Sequence, residues 1–290
     1  MTSRPYGFEF EPLFLALGAV LVVAYVRDVR RTDPADRPGT GRRWVFGLGV
    51  ALVALPLNSP LETISVHYLL LFHLLQNALI ADWGPPLLIL GLTPGMRERL
   101  GRSGGSFLRR LTSPYLTLPL WLVVWYGIHL PDFYDWALRT SWPLNIEHAL
   151  LVTAGLLFWW PVFERPRRLT SGGLLAYLGI AFVSAPWLSL AFIFSSQPYY
   201  SFYAHAPRLW GLSALHDQNY AGILMNADQT SVFFIAFAWV LLAILAEEEE
   251  QQRRRDAAFL ASYDDGLPVP SMEGSHQTSA AQLHRQQKEV

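Results

Sequence analysis

Long apolar runs separated by short polar segments fill the chain between about residues 10 and 246. Each run reaches or nearly reaches the ~20 residues that a helix needs to cross ~30 Å of hydrocarbon. The second and fourth runs are short, whereas the third and seventh are long enough to tilt or to project from a bilayer. The pattern predicts an all-α membrane bundle of seven transmembrane helices, at about residues 10–26, 44–60, 64–92, 114–130, 145–162, 173–194 and 216–246.

Composition and charge give this bundle an orientation. Charged residues make up only 16% of the chain, against about 25% in a soluble protein. The loops at 27–43, 95–113 and 163–172 and the tail after Ala246 hold nineteen of the 22 basic residues. By the positive-inside rule this side is cytoplasmic, so we expect the N-terminus outside, the C-terminus inside and a multi-pass protein of the plasma (inner) membrane. No cleavage site follows the first run, so the first helix is expected to stay.

The chain is expected to divide into a membrane domain at residues 1–246 and a cytoplasmic part at residues 247–290. Glu249 and Arg253, like Glu250 and Arg254, are four residues apart with the acid first, which favours a charged helical extension. Beyond about Asp265 the composition predicts a disordered tail. The arginines alternate with helices and form no single patch, so no nucleic-acid partner is expected.

Histidine is the candidate metal ligand, because the chain has no cysteine. One such residue at a membrane interface more often caps a helix or hydrogen-bonds water. On the predicted topology, however, six of the eight histidines fall on the outer side, and the set favours a metal site. These six are His67, His73, His129, His148, His205 and His216.

The spacing of the polar residues shows which of them can share one candidate site. His73, Gln76 and Asn77 share one helix face, whereas His67 is about 120° away and joins them only if the helix deforms. Glu147 stands beside His148 and can orient its imidazole. His216 and Asp217 repeat that pairing in the last run.

Aspartates inside apolar runs suggest a rival function. Asp217 and Asp228 lie at nearly the same helical angle, and Asp82 lies in the third run, on the face opposite His73. Burying a charge in a bilayer costs at least ~2.5–3.5 kcal/mol, so these residues are either hydrogen-bonded helix contacts or an ion or proton path. Tryptophan and tyrosine groups are expected in interfacial belts. The Pro85–Pro86 pair is expected to kink or break the third helix.

Four segments carry a resemblance to a known family. They are HLLQNALIADWGPPLLILGLTP (73–94), IHLPDFYDWAL (128–138), IEHALLVTAGLLFWWPV (146–162) and DQNYAGILM (217–225). In order and spacing they resemble the polytopic CtaG family of cytochrome c oxidase assembly factors. That family shows a His-x-x-Gln-His run at the first segment, and here the second histidine of the run is replaced by Asn77.

The resemblance implies a non-enzymatic membrane protein that helps to assemble a copper-containing haem oxidase and handles copper at its outer face. It implies cytochrome c oxidase subunits as partners and copper as the bound metal. Two alternatives stay open: a proton- or ion-coupled transporter using Asp82, Asp217 and Asp228, and a scaffold whose metal site has degenerated at Asn77. The implied metal ligands are His73, His129, His148 and Asp217, with Glu147, His67, Asn77 and His216 as orienting residues or alternates.

Overall fold

The structure, a computed structural model, describes residues 4–164 and 166–264, with side chains to residue 260. Regular structure in these residues is entirely helical, which confirms the all-α prediction. Short 3-10 turns lie at Pro34–Asp36 and Pro56–Asn58, and a π-helical turn lies at Leu79–Trp83. The α-helices are α1 Pro12–Arg31, α2 Thr40–Ala54, α3 Pro60–His67, α4 Leu70–Ala78, α5 Gly84–Gly91, α6 Pro94–Ser103, α7 Gly105–Leu111, α8 Pro114–Ile128, α9 Pro131–Ala137, α10 Ser141–Phe163, α11 Ser171–Ser184, α12 Pro186–Ile193, α13 Ser201–His205 and α14 Ala214–Asp264.

Local sequence explains where many helices begin. Six of the described helices (α1, α3, α6, α8, α9 and α12) open on a proline, whose fixed φ and missing N–H suit the first helical position. Ser59, Thr93 and Thr170 cap three helices by accepting hydrogen bonds from Leu61, Met96 and Gly173 N–H.

Helices able to cross a membrane are present. In the described residues, four are long and apolar enough, at Pro12–Arg31, Ser141–Phe163, Ser171–Ile193 and Ala214–Leu260. A fifth is added if α7 and α8, which meet at an angle of 55°, count as one span. The protein is therefore a helical membrane protein, and the count of seven stays a prediction.

The third predicted run, 64–92, is not one helix. α3 ends at His67, Tyr68 and Leu69 leave the helical conformation, and α4 begins at Leu70. The N–H groups of Leu70 and Leu71 donate to the Asp217 carboxylate, at 2.8 and 3.0 Å. This distant side chain starts a new helix where the sequence alone indicated a continuous one.

The interruption expected at Pro85–Pro86 takes the form of a wider turn just before the two prolines. Residues Leu79–Trp83 are π-helical, and the Gly84 N–H donates to Leu79 O five residues back. The helix then continues through both prolines to Gly91, because a π-turn accommodates the missing proline N–H groups. Ala81 O, within this turn, approaches α10 so closely that a Cβ on Gly155 would lie 2.4 Å from it.

Hydrogen bonds gather the basic loops at one end of the bundle. Arg42 Nη1 donates to Leu90 O and Leu92 O at 2.8 and 3.0 Å. Arg97 Nη1 donates to Phe163 O at 2.6 Å, and Arg168 Nη2 to Thr112 O at 2.6 Å. We call the loops at 27–43, 95–113 and 166–170 the basic end.

The opposite end carries four of the histidines, namely His67, His129, His205 and His216. Thr63 Oγ1 donates to Gly7 O at 2.8 Å, and the Ser201 N–H donates to Asp135 at 3.0 Å. The histidine end comprises residues 4–11, 55–69, 129–140 and 194–217.

The aromatic side chains correct the expectation of interfacial belts. Tyr199 and Tyr126 are partly exposed, as such a belt requires. Five others are at most 5% exposed and belong to the bundle interior: Trp121, Trp125, Trp159, Tyr200 and Tyr203.

The chain forms two compact units, Met1–Ala238 and Trp239–Val290, whereas the sequence placed the domain boundary at residue 246. In the second unit Arg253 pairs with Glu249 at 2.6 Å and Arg254 with Glu250 at 2.9 Å, both along α14. The tail predicted beyond Asp265 lies outside the described residues.

Candidate functional site

A polar centre lies inside the bundle towards the histidine end. α4, α9, α10 and α13 each contribute to it, and each of its side chains is at most 3% exposed. We define the polar centre as His73, Asn77, Tyr134, Glu147, His148 and Tyr203.

Tyr203 fixes the tautomer of His73. Its hydroxyl donates to Ser65 O at 2.5 Å and lies 2.9 Å from His73 Nδ1. Because the hydroxyl has one proton and gives it to Ser65, Nδ1 must donate to the tyrosine oxygen. In the neutral imidazole the lone pair is then on Nε2.

That lone pair faces a carboxylate. His73 Nε2 lies 3.4 Å from Glu147 Oε1, and Asn77 Nδ2 donates to the same oxygen at 3.0 Å. Two acceptors face each other favourably only when a proton or another cation lies between them. The pair is therefore a cation-holding arrangement in the protein interior.

His148 stands beside this pair. Its ring centroid is 5.9 Å from that of His73. Neither ring nitrogen of His148, nor Glu147 Oε2, has a hydrogen-bond partner among the described residues. Buried polar atoms are rarely left without one, so these three atoms are available to a ligand.

His129 is close to the polar centre but outside it. Its Nδ1 donates to Trp125 O at 2.7 Å, which leaves the lone pair on Nε2. The Tyr134 ring lies between it and His73, with centroids 5.9 Å from His129 and 5.0 Å from His73. His129 therefore needs Tyr134 to move before it can share a ligand with His73.

The other predicted ligands lie apart. Asp217 is buried, but both of its oxygens accept the backbone N–H groups that start α4. His67 pairs with Glu9 at 2.7 Å near the surface, and His216 is exposed. Across the described residues, no group of three or more His, Cys, Asp or Glu side chains is arranged to hold a metal ion.

The two deep aspartates contact each other. Their carboxyls are close enough to interact electrostatically. Gln229 Nε2 donates to Asp82 Oδ2 at 2.8 Å, and Trp83 Nε1 to Asp228 Oδ1 at 2.6 Å. This group links α14 to the π-turn.

Sequence reasoning missed a third buried group, around Glu62. Glu62 lies in α3, outside the membrane-spanning segments, and is 1% exposed. Gln76 Nε2 donates to its carboxyl and to Pro56 O. Burial raises the pKa of Glu62 to about 8, despite the opposing effect of the Gln76 hydrogen bond.

The buried tyrosines were also missed as site residues. Tyr134 stands within the segment 128–138, and Tyr203 follows a run of tyrosines that resembles an interfacial belt. Their sequence signal is weak, because interfacial and buried tyrosines share the same apolar surroundings.

Fold and polar centre together define a helical membrane protein with a cluster of buried polar side chains in its interior. A model of the cytochrome c oxidase caa3 assembly factors matches residues 20–247, and the chain belongs to that family. The family indicated by the four segments is thereby confirmed. No curated protein and no solved structure matches the chain.

Proposed function

We propose that this protein helps to assemble a copper-containing haem oxidase by taking up a copper ion at the polar centre and passing it on. The observation that carries the proposal is the Nε2 lone pair of His73 facing Glu147 Oε1 at 3.4 Å. Copper is the cargo here, and the protein catalyses no reaction. The receiving partners are the copper-holding subunits of the oxidase.

His73 and His148 are the proposed imidazole donors, and Glu147 supplies the balancing charge. Their ring centroids lie 5.9 Å apart, and neither nitrogen of His148 has another hydrogen-bond partner among the described residues. Asn77 orients Glu147 but is a poor copper ligand, so α4 offers a single imidazole. We infer weak binding, which suits a protein that must release its cargo. His129 becomes a further donor if Tyr134 moves.

The proposal includes seven membrane crossings, an N-terminus outside and a location in the plasma membrane. Support comes from the helix ends. α1, α2, the segment α4–α5, α8, α10 and the segment α11–α12 each run between the basic end and the histidine end, and α14 starts at the histidine end. The interruption at Tyr68 comes before the third crossing, and the π-turn divides that crossing into α4 and α5.

Cu(I) titration of the purified protein, with a competing chelator, tests the cargo site. His73→Ala and His148→Ala should each weaken binding at least tenfold. His205→Ala is the matched control, because this exposed histidine lies at the same end and outside the polar centre. In cells lacking the native protein, the first two variants should also lower the copper-to-haem ratio of the oxidase.

Unchanged Cu(I) binding in both variants would remove the copper role from the polar centre. If the protein binds no copper but moves protons in proteoliposomes, and Asp228→Asn stops that flux, the transporter alternative replaces this proposal.

A further inference from the structure

A second kind of site lies at the basic end, away from the polar centre. A cavity of about 390 Å³ opens between α1, α2, α5 and α10, within the ~300–1,000 Å³ of ligand sites. Its walls are mainly apolar and include Leu21, Ala24, Phe46, Leu88 and Leu157.

One carboxylate, Asp28, lines this apolar cavity. Its charge is balanced by Arg99, at 3.2 Å, and Arg99 also donates to Thr32 Oγ1 at 2.6 Å. The cavity therefore presents a neutral, apolar interior to a ligand.

A neighbouring cavity of about 360 Å³ has the opposite character. Four arginines line it: Arg97, Arg102, Arg109 and Arg168. Two glutamates oppose them, and both are already paired, Glu98 with Arg102 at 3.5 Å and Glu164 with Arg168 at 2.7 Å. The cavity keeps an excess of positive charge, which favours an anion.

The two cavities are contiguous. Thr112 and Trp160 line both of them, and a Cβ on Gly101 would lie 3.9 Å from the Trp160 ring. An apolar cavity that opens between membrane helices and adjoins arginines at the bundle end matches a molecule with a hydrocarbon chain and an anionic head.

We propose that an anionic phospholipid binds here, with an acyl chain in the apolar cavity and its phosphate in the basic cavity, beside Arg102 and Arg109. Arginine forks bind phosphate oxygens bidentately, and basic pockets between membrane helices bind anionic headgroups. The bound lipid bridges α6 and α7 to the ends of α1 and α10. It fastens the basic end to the bilayer independently of any metal cargo.

Quenching of Trp160 fluorescence tests the proposal. The full-length protein in micelles is titrated with brominated phosphatidylglycerol or brominated phosphatidylcholine, and Trp160→Phe defines the contribution of Trp160. Phosphatidylglycerol should quench at the lower mole fraction. Arg102→Gln and Arg109→Gln should each reduce this preference about fivefold. Arg110→Gln should not, because this neighbouring arginine does not line the basic cavity.

Two variants on α1 test the apolar cavity. Ala24→Phe should fill the cavity and weaken quenching by both lipids, whereas Ala19→Phe, on α1 but not lining it, should leave quenching intact.

Equal quenching by the two lipids, or an Arg110→Gln effect as large as that of Arg109→Gln, would overturn the proposal. So would inorganic phosphate that displaces the lipid at equal concentration, since the site would then hold a free anion. Arg102 and Arg109 are exposed, so their variants keep the test valid if Ala24→Phe misfolds.

Discussion

Residue 77 decides how well the polar centre can bind a cation. His73 and Asn77 lie one turn apart on α4, and both side chains point at Glu147. A histidine at 77 would add a second imidazole to that face. We expect Asn77→His to raise Cu(I) affinity about tenfold, measured by competition with a chromogenic chelator.

Asn77→Ala is the control, because it removes the amide without adding a ligand and should not raise the affinity. If Asn77→His folds and binds no better than the parent, His73 is not directed at a metal.

Glu62 gives the protein a pH-dependent stability. Its pKa is raised by burial from 4.5 to about 8, so the folded protein holds this proton at pH values where the unfolded chain has lost it. The stabilisation is complete below about pH 4.5 and is lost as pH rises towards 8. Over that window the free energy of unfolding should fall by about 1.4 kcal/mol per pH unit.

Thermal unfolding at pH 5, 6.5, 8 and 9 measures this effect. Glu62→Gln keeps an oxygen for the Gln76 amide and should flatten the dependence. Glu9→Gln, at a partly exposed carboxyl of the same end, should leave it steep, because burial raises the pKa of Glu62 more than the charge of Glu9 does. A flat profile in the parent protein would rule out a buried, protonated Glu62.

At the scale of helices, Asp217 positions the polar centre without belonging to it. By holding the N–H groups of Leu70 and Leu71, it sets where α4 begins and so the direction of His73. Asp217→Ala would leave both N–H groups unpaired and should cost about 2–4 kcal/mol. Asp217→Asn keeps one acceptor oxygen and should cost less.

Scanning fluorimetry of the two variants, beside the exposed His216→Ala, measures the difference. Cu(I) affinity of Asp217→Asn distinguishes the cap from a ligand, since a cap variant that folds should bind copper as the parent does. A loss as large as that of His73→Ala would return Asp217 to the ligand set.

The sequence predicts the helical segment from α4 to α5 only in part. Apolar length locates a helical segment near residues 70–91, and i,i+4 spacing places His73 and Asn77 on one face. The break at Tyr68 depends on a carboxylate 147 positions from Leu70 in the chain, and hydropathy carries no signal for such a pairing. The π-turn likewise precedes two prolines, of which Pro85 packs against α10 at Gly155, and local rules do not distinguish such a turn from a proline kink.

Across the whole molecule, the sequence indicates which segments are apolar and where positive charge accumulates. It does not tell which helices are neighbours, because lipid-facing and buried positions are equally apolar. His148 and Glu147 were therefore identifiable as candidates, whereas their approach to His73 required the packing of α10 against α4. Tyr203 was harder to identify, since it comes from α13, 130 positions from His73 in the chain, and contacts both His73 and Ser65 O.

The orientation of the protein in the bilayer can be measured by labelling introduced cysteines. The chain has no cysteine, so single cysteines can be introduced and labelled with a membrane-impermeant maleimide. Tyr6→Cys, Thr140→Cys and Ala204→Cys, all at the histidine end, should react in intact cells. Asp36→Cys, Ser106→Cys and Gln251→Cys should react only after lysis, because the positive-inside rule puts arginine-rich loops in the cytoplasm.

The most discriminating position is Ala204, because it follows α11 and α12 and precedes α14. With seven crossings it faces outside, together with Tyr6. If α2 or the interrupted segment α4–α5 failed to cross, one of these two positions would change sides. Labelling of Ala204→Cys only after lysis, with Tyr6→Cys labelled in intact cells, would contradict seven crossings. Reaction of both from outside, with Ser106→Cys protected, is the expected outcome, and it would place the polar centre in the outer half of the bilayer.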